Sequence, residues 1–318
     1  MKKFLFRKPE KWKEGSCLIK FKYILSLIIL ILTSQVFSQS DLLFDNYNIN
    51  TIAHNPAAIE NNGTVNAYLG IHQQWIGFDD APNMQWGYVS NFHDKLNMGI
   101  SLGVINQSVG ATITQNIKVG YAYHIYFKGG HTVSLGLGAG IYFRRFDFSK
   151  LKFDEDESEI PLSAQTELKP DFDFGIEYMY KDITLGFASN HITIFNKNAT
   201  IFKLPIQNHF YAEYSVDIKS GILFIPRLDF FNSGTITSLG VSGDFFLYDS
   251  FNVGLSYRYN TSFIIRAGIK INSMFQLQYS YNIGSGSFAT YNSGVHEVIL
   301  GLRIKKRNLS YNSPRFID

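Results

Sequence analysis

Phe251-Asn252-Val253-Gly254-Leu255-Ser256-Tyr257-Arg258-Tyr259-Asn260 is the stretch that decides the fold. Every second residue is aliphatic or aromatic, and Asn, Gly, Ser and Arg fill the places between. A period of two belongs to a strand with one apolar face; helical spacing does not produce it. The same alternation runs through 275–284. There Phe275, Leu277, Tyr279, Tyr281 and Ile283 alternate with Gln276, Gln278, Ser280, Asn282 and Gly284. It returns with Phe172, Phe174, Ile176, Tyr178 and Tyr180, with Leu96 to Val104, and with Val133 to Phe143. Strands this long, with Gly, Ser and Asn on one face, suit a barrel whose outside meets lipid and whose inside is wet. Backbone donors must all be paired in lipid, so such a sheet has to close.

Composition agrees with this pattern. Of 318 residues, 16% are aromatic and only 17% charged, below the roughly 25% of a soluble domain. A chain 45% hydrophobic can bury a core, which argues against disorder. Mean hydropathy near zero excludes a helical membrane bundle. The net charge of +3 is misleading: residues 1–38 carry eight Lys/Arg and two Glu, so the remainder is −3. No basic block is left to bind nucleic acid.

Residues 1–38 are expected to be a signal peptide. A basic stretch precedes an apolar run, 23–32, that is too short to span a bilayer, and Val36 and Ser38 suit cleavage before Gln39. The single cysteine, Cys17, leaves with this leader, so disulfides, thiol catalysis and Cys-based metal sites are not expected. Beyond the leader, fourteen strands are predicted. They are 64–78, 83–92, 95–106, 109–128, 130–148, 171–180, 182–196, 206–219, 221–232, 234–247, 250–260, 261–272, 273–284 and 296–306. The long connections 149–170, 197–205 and 285–295 all fall at one end, and short ones such as Gly129-Gly130, Lys181 and Tyr248-Asp249 at the other. This is the outer-surface and periplasmic asymmetry of outer-membrane barrels. Residues 39–63 lack alternation, are rich in Asn and are expected to precede the barrel (64–306) as a plug or periplasmic strap. Residues 307–318 are a short polar tail.

Catalytic chemistry is not marked. Asp154, Glu155, Asp156, Glu157 and Glu159 form an acidic run without the turn glycine of a calcium loop, and read as a solvated loop. Asp173 and Glu177 share the inward face of their strand, where Lys118, Arg258, Arg266, Lys270 and Arg303 could pair with them. Interior ion pairs are the preferred reading over a catalytic carboxylate pair. The eight histidines show no metal-binding spacing. The L-G-L-G-A-G run at 135–140 sits in a strand with no helix after it, so it is an inner barrel face and not a phosphate loop. The chain is expected to be a non-enzyme without cofactor or metal.

Three blocks carry a family resemblance. Phe44-Asp45-Asn46-Tyr47-Asn48 leads to Asn55-Pro56-Ala57. Gln74-Trp75-Ile76-Gly77-Phe78-Asp79-Asp80-Ala81-Pro82 follows the first strand, with Gln85 after it. Ser293-Gly294-Val295-His296-Glu297-Val298 stands near the end. Together they resemble the PorP/SprF family of outer-membrane proteins of the type IX secretion system, in which F-x-x-Y-x-x-N and N-P-A precede QWxGFxGAPxTQ and a terminal S-G-x-H-E strand. Asp80 stands where the family usually has Gly, and Asn83-Met84 where Lys-Thr is common. The resemblance implies outer-membrane lipid as surroundings. It also implies partners: the C-terminal domain of a secreted surface protein, an adhesin in gliding species, and periplasmic components of the machine. From the residues alone, an outer-membrane channel for small hydrophobic or polar solutes is the rival, with 40–63 as a hatch. A structural barrel without cargo is a third reading.

Overall fold

The computed structural model describes residues 43–47, 49–59, 64–150, 164–192, 204–234, 236–284 and 294–305. The leader, the acidic run and the tail lie outside them, as does most of each of the connections 149–170, 197–205 and 285–295. The strands are β1 (Thr64–Gln74), β2 (Asn83–His93), β3 (Met98–Val109), β4 (Thr112–Tyr126), β5 (His131–Phe146), β6 (Gln165–Tyr180), β7 (Ile183–Asn190) and β8 (Gln207–Tyr214). They continue with β9 (Val216–Lys219), β10 (Ile222–Asn232), β11 (Thr237–Leu247), β12 (Phe251–Arg258), β13 (Ser262–Lys270), β14 (Phe275–Gly284) and β15 (Val295–Lys305). All pairings are antiparallel. β15 pairs with β1 from Thr64↔Lys305 to Gln74↔Val295, and β10 pairs with β11, so the sheet closes on itself. β8 and β9 both lie against β10 and are halves of one wall strand interrupted at Ser215. The wall is therefore a closed antiparallel barrel of fourteen strands, the even number expected of outer-membrane barrels.

Its faces are inverted relative to a soluble protein. Leu69 and Leu255 point outward, 63% and 64% exposed, while Ser280 and Glu297 point inward with no exposure. In β1 the inward set is Thr64, Asn66, Tyr68, Gly70 and His72, and Leu69 and Ile71 lie outside. An apolar exterior on a polar interior needs lipid around it. Among the described residues no helix is long and apolar enough to cross a membrane, so strands do the spanning.

Strand ends differ from the sequence expectation for local reasons. β1 stops at Gln74 and not 78, because Trp75 turns into the left-handed region (φ 49°) and Gly77 follows at φ 102°. β6 begins at Gln165 and not 171; its first residues, Glu167, Lys169 and Pro170, hide the alternation. Pro170 is tolerated because β7 pairs with Phe174–Tyr180, so among the described residues the first part of β6 has one neighbouring strand, β5. Pro226 faces the break between β8 and β9 for the same reason.

The preceding segment contains two short 3-10 turns, Thr51–Ala53 and Pro56–Ala58. Asn55 caps the second through a side-chain oxygen that accepts from Ala57 N at 2.9 Å, and Pro56 starts the turn, where a missing N–H is harmless.

Candidate functional site

Residues 44–59 contact the inward faces of widely separated strands. At one side, Asp45 N and Asn46 N donate to Glu297 Oε2 (2.9 and 3.0 Å), as does Asn46 Nδ2 (2.9 Å). Asn282 Nδ2 donates to Asp45 Oδ1 at 2.8 Å, and Arg258 pairs with the same oxygen at 3.1 Å. Arg258 also donates to Phe44 O. Around the ring, Asn55 Nδ2 donates to Ile176 O (3.2 Å) and Tyr211 Oη (3.1 Å), while Asn190 Nδ2 donates to His54 O (2.8 Å). Tyr211 in turn donates its hydroxyl to Glu177. Farther on, Ile59 covers Gly99 and Gly120.

Glycine on the inner face makes room for these contacts. A Cβ at Gly136 would strike the Pro56–Ala57 backbone, and one at Gly175 would strike Asn55 Oδ1. Gly136 and Gly175 are paired across β5 and β6, so Asn55, Pro56 and Ala57 sit over a two-glycine gap. The inner face is also less polar than expected at β2. Met84, Trp86 and Tyr88 point inward and form a core cluster with Phe44, Tyr68 and Ile299, with Phe44 edge-on to Trp86 at 5.5 Å.

Of the expected interior charges, Lys118, Asp173, Glu177, Arg258, Arg266 and Lys270 are in ion pairs or hydrogen bonds, mostly with partners other than each other. Lys118 Nζ stands 2.7 Å from Asp173 and 3.0 Å from Asp171. Arg266 pairs with Asp244 at 2.8 Å, and Lys270 with Asp249 at 2.8 Å. Glu177 holds Tyr211, and Arg303 is buried on β15. Two pairs share one device. Lys118, Gly140 and Asp171 occupy one row across β4, β5 and β6, and Arg266, Gly254 and Asp244 one row across β13, β12 and β11. The central glycine leaves the gap across which the charges meet. Sequence reading passed over Asp171, Asp244, Tyr211 and Arg227. The first two were available from alternation, because they share a face with inward glycines; Arg227 sits beside Pro226, which masks its strand.

The other motif residues gather at the long-connection end. Gln74 and Trp75 close β1, Trp75 N donates to Gly294 O at 3.2 Å, and His72 pairs in register with Glu297. The Q-W and G-x-H-E blocks are thus neighbours, and Asp45 and Asn46 join them through Glu297. Trp75, Ile76 and Phe78 are exposed on the β1–β2 connection, whose turn is formed by Asp79, Asp80, Ala81 and Pro82. Asp80, at the family's glycine position, adopts φ 54°, a conformation that Asp tolerates better than most residues. Lys150 pairs with it at 3.1 Å, and Gly110 N donates to its carbonyl at 3.1 Å. His296 faces the other side of β15, with Nδ1 2.7 Å from the Tyr279 hydroxyl.

Burial dominates the electrostatics of the N-terminal segment. It pushes the Tyr47 hydroxyl up to about 12, partly offset by Arg258 over its ring at 4.8 Å. It also holds His54 well below the ordinary histidine value, with His209, Arg227 and Arg258 acting in the same direction. His54 is therefore a neutral ring, packed 4.9 Å from His209 and 5.0 Å from Phe44.

Comparison with known proteins follows the same lines. The family model described as type IX secretion system membrane protein PorP/SprF matches residues 36–302. No curated protein matches the chain. Among solved structures, the chain is similar to the Ralstonia pickettii toluene transporter TbuX at 10% identity and a TM-score of 0.52, covering 81% of this chain and 94% of that one. It is also similar to the CymD monoaromatic hydrocarbon channel at 10% identity and a TM-score of 0.50, covering 84% and 94%. At such identity the likeness concerns the barrel fold.

Proposed function

This chain belongs to the PorP/SprF family of type IX secretion system membrane proteins, and from that premise we propose that its barrel helps export or anchor a secreted surface protein. The family match across nearly the whole barrel carries this reading. In it, the barrel binds the C-terminal domain of an adhesin-like cargo at the long-connection end and meets periplasmic machine components at the other. The exposed Trp75, Ile76 and Phe78 beside Gly294 supply an apolar rim suited to a protein partner. The role is non-enzymatic and serves the cell surface, gliding included where the species glides. Residues 44–59 act as a plug, and residues 1–38 are removed on export.

The fold of hydrocarbon channels favours a second reading, passage of small solutes. Three cavities lined in part by the N-terminal segment measure about 30, 50 and 60 Å³. A benzene needs on the order of 150 Å³, so passage would require the segment to move. Purification of the tagged barrel from outer membranes separates the readings. Enrichment of one secreted protein's C-terminal domain, reduced by Trp75→Ala, is expected. Unchanged surface display of every secreted protein in a deletion strain would refute the secretion role, and solute uptake into liposomes would favour the channel.

A further inference from the structure

Asp45, His72 and Glu297 are buried together, with one donor atom of each lying within 4.8 Å of the others. Each side chain has one atom engaged and one unengaged. Asp45 Oδ1 accepts from Asn282 and Arg258, and Glu297 Oε2 accepts from three N–H groups. His72 Nε2 contacts the Gln74 amide at 3.1 Å. Asp45 Oδ2, Glu297 Oε1 and His72 Nδ1 make no hydrogen bond with any described residue. All three residues are at most 1% exposed. Buried polar atoms are normally partnered, and three orphans in one cluster call for a shared partner. Among the described residues the one cation in an ion pair with either carboxylate is Arg258, which pairs with Asp45, while Arg266 donates to the Asp45 backbone carbonyl.

A comparable cluster, Asp171, Asp173 and His191, shows the contrast. Lys118 lies against both carboxylates, Asn116 Nδ2 donates to Asp171 at 2.7 Å, and His191 Nδ1 lies 2.9 Å from Asp171. A lysine already occupies the place an ion would take there.

We propose that Asp45, His72 and Glu297 form a binding site for a divalent transition-metal cation, of the Zn²⁺ type, that joins the N-terminal segment to the first and last strands. Two oxygens and an imidazole suit such an ion better than calcium or magnesium, which prefer all-oxygen sites. At bond lengths of about 2.0–2.2 Å, two donors of one ion stand at most about 4.4 Å apart, so small side-chain rotations complete the site. If the Gln74 side-chain amide turns its oxygen toward Nε2, it accepts the Nε2–H and leaves Nδ1 with a lone pair for the ion.

The test uses the full-length protein in detergent, stripped with chelator and titrated calorimetrically with Zn²⁺, its fold checked by the mobility of the unheated barrel on gels. One Zn²⁺ per chain is expected, with binding weakened more than about tenfold in His72→Gln and in Glu297→Gln. His191→Gln should bind as the unaltered protein does. If Glu297→Gln does not fold, His72→Gln carries the test. Absence of stoichiometric Zn²⁺ uptake overturns the proposal. Uptake unaffected by His72→Gln, or abolished by His191→Gln, overturns it as well.

Discussion

Gly136 and Gly175 face each other across β5 and β6, and the Asn55-Pro56-Ala57 backbone takes the space their side chains would fill. Gly136→Val should therefore act at a distance from its own strand, destabilising the protein by about 1–3 kcal/mol as overpacking does. Its signature should be faster chymotrypsin cleavage at Phe44 and Tyr47 with the barrel still folded; an unchanged cleavage rate would count against this seating. His54 gives a second residue-scale prediction. Its folded value lies well below the ordinary 6.5, so the released segment binds a proton that the seated one does not. Stability tied to this group is present above about pH 6.5 and declines as pH falls below it. Hydrogen exchange in residues 43–59 should quicken on acidification, and less so in His54→Gln. His209, Arg227 and Arg258 around the ring oppose its protonation and reinforce that sign.

Strand periodicity was legible because lipid outside and polar groups inside impose opposite demands on alternate residues. Phe251 to Arg258 and Phe275 to Gly284 show it without interruption. Where a second constraint intervened the pattern blurred: among the described residues Pro170 and Pro226 sit where a wall strand has no partner on one side, and β2 turns Met84, Trp86 and Tyr88 inward against Phe44. Partner choice among the interior charges was not legible. It depends on rows running across three strands, as with Lys118, Gly140 and Asp171, which no local sequence window contains. At this scale Leu69→Lys, on the outward face, should cost about 2–4 kcal/mol near the bilayer midplane. Refolding titrations into lipid vesicles measure it; a near-neutral effect would place that face in water. Gly254→Leu should displace Asp244 from Arg266 and lower stability while leaving the outward face intact.

For the whole molecule, closure joins β15 to β1 and places the Q-W and G-x-H-E blocks, distant in sequence, on one rim with Asp45 and Asn46 beneath. If the segment blocks the interior, planar-bilayer recordings of the purified barrel should show little conductance, and Gly136→Val should raise it; large steady currents through the unaltered protein would contradict the plug.

The contact between Asp45 and Glu297 spans 252 residues, and this bears on the order of assembly. The segment is made near the beginning of the chain, yet its anchor arrives on the last strand. The contact can therefore form only once the last strand is in place. A chain ending before β15 should keep Phe44 and Tyr47 open to protease, and their protection would time the moment at which the final strand clicks into its seam.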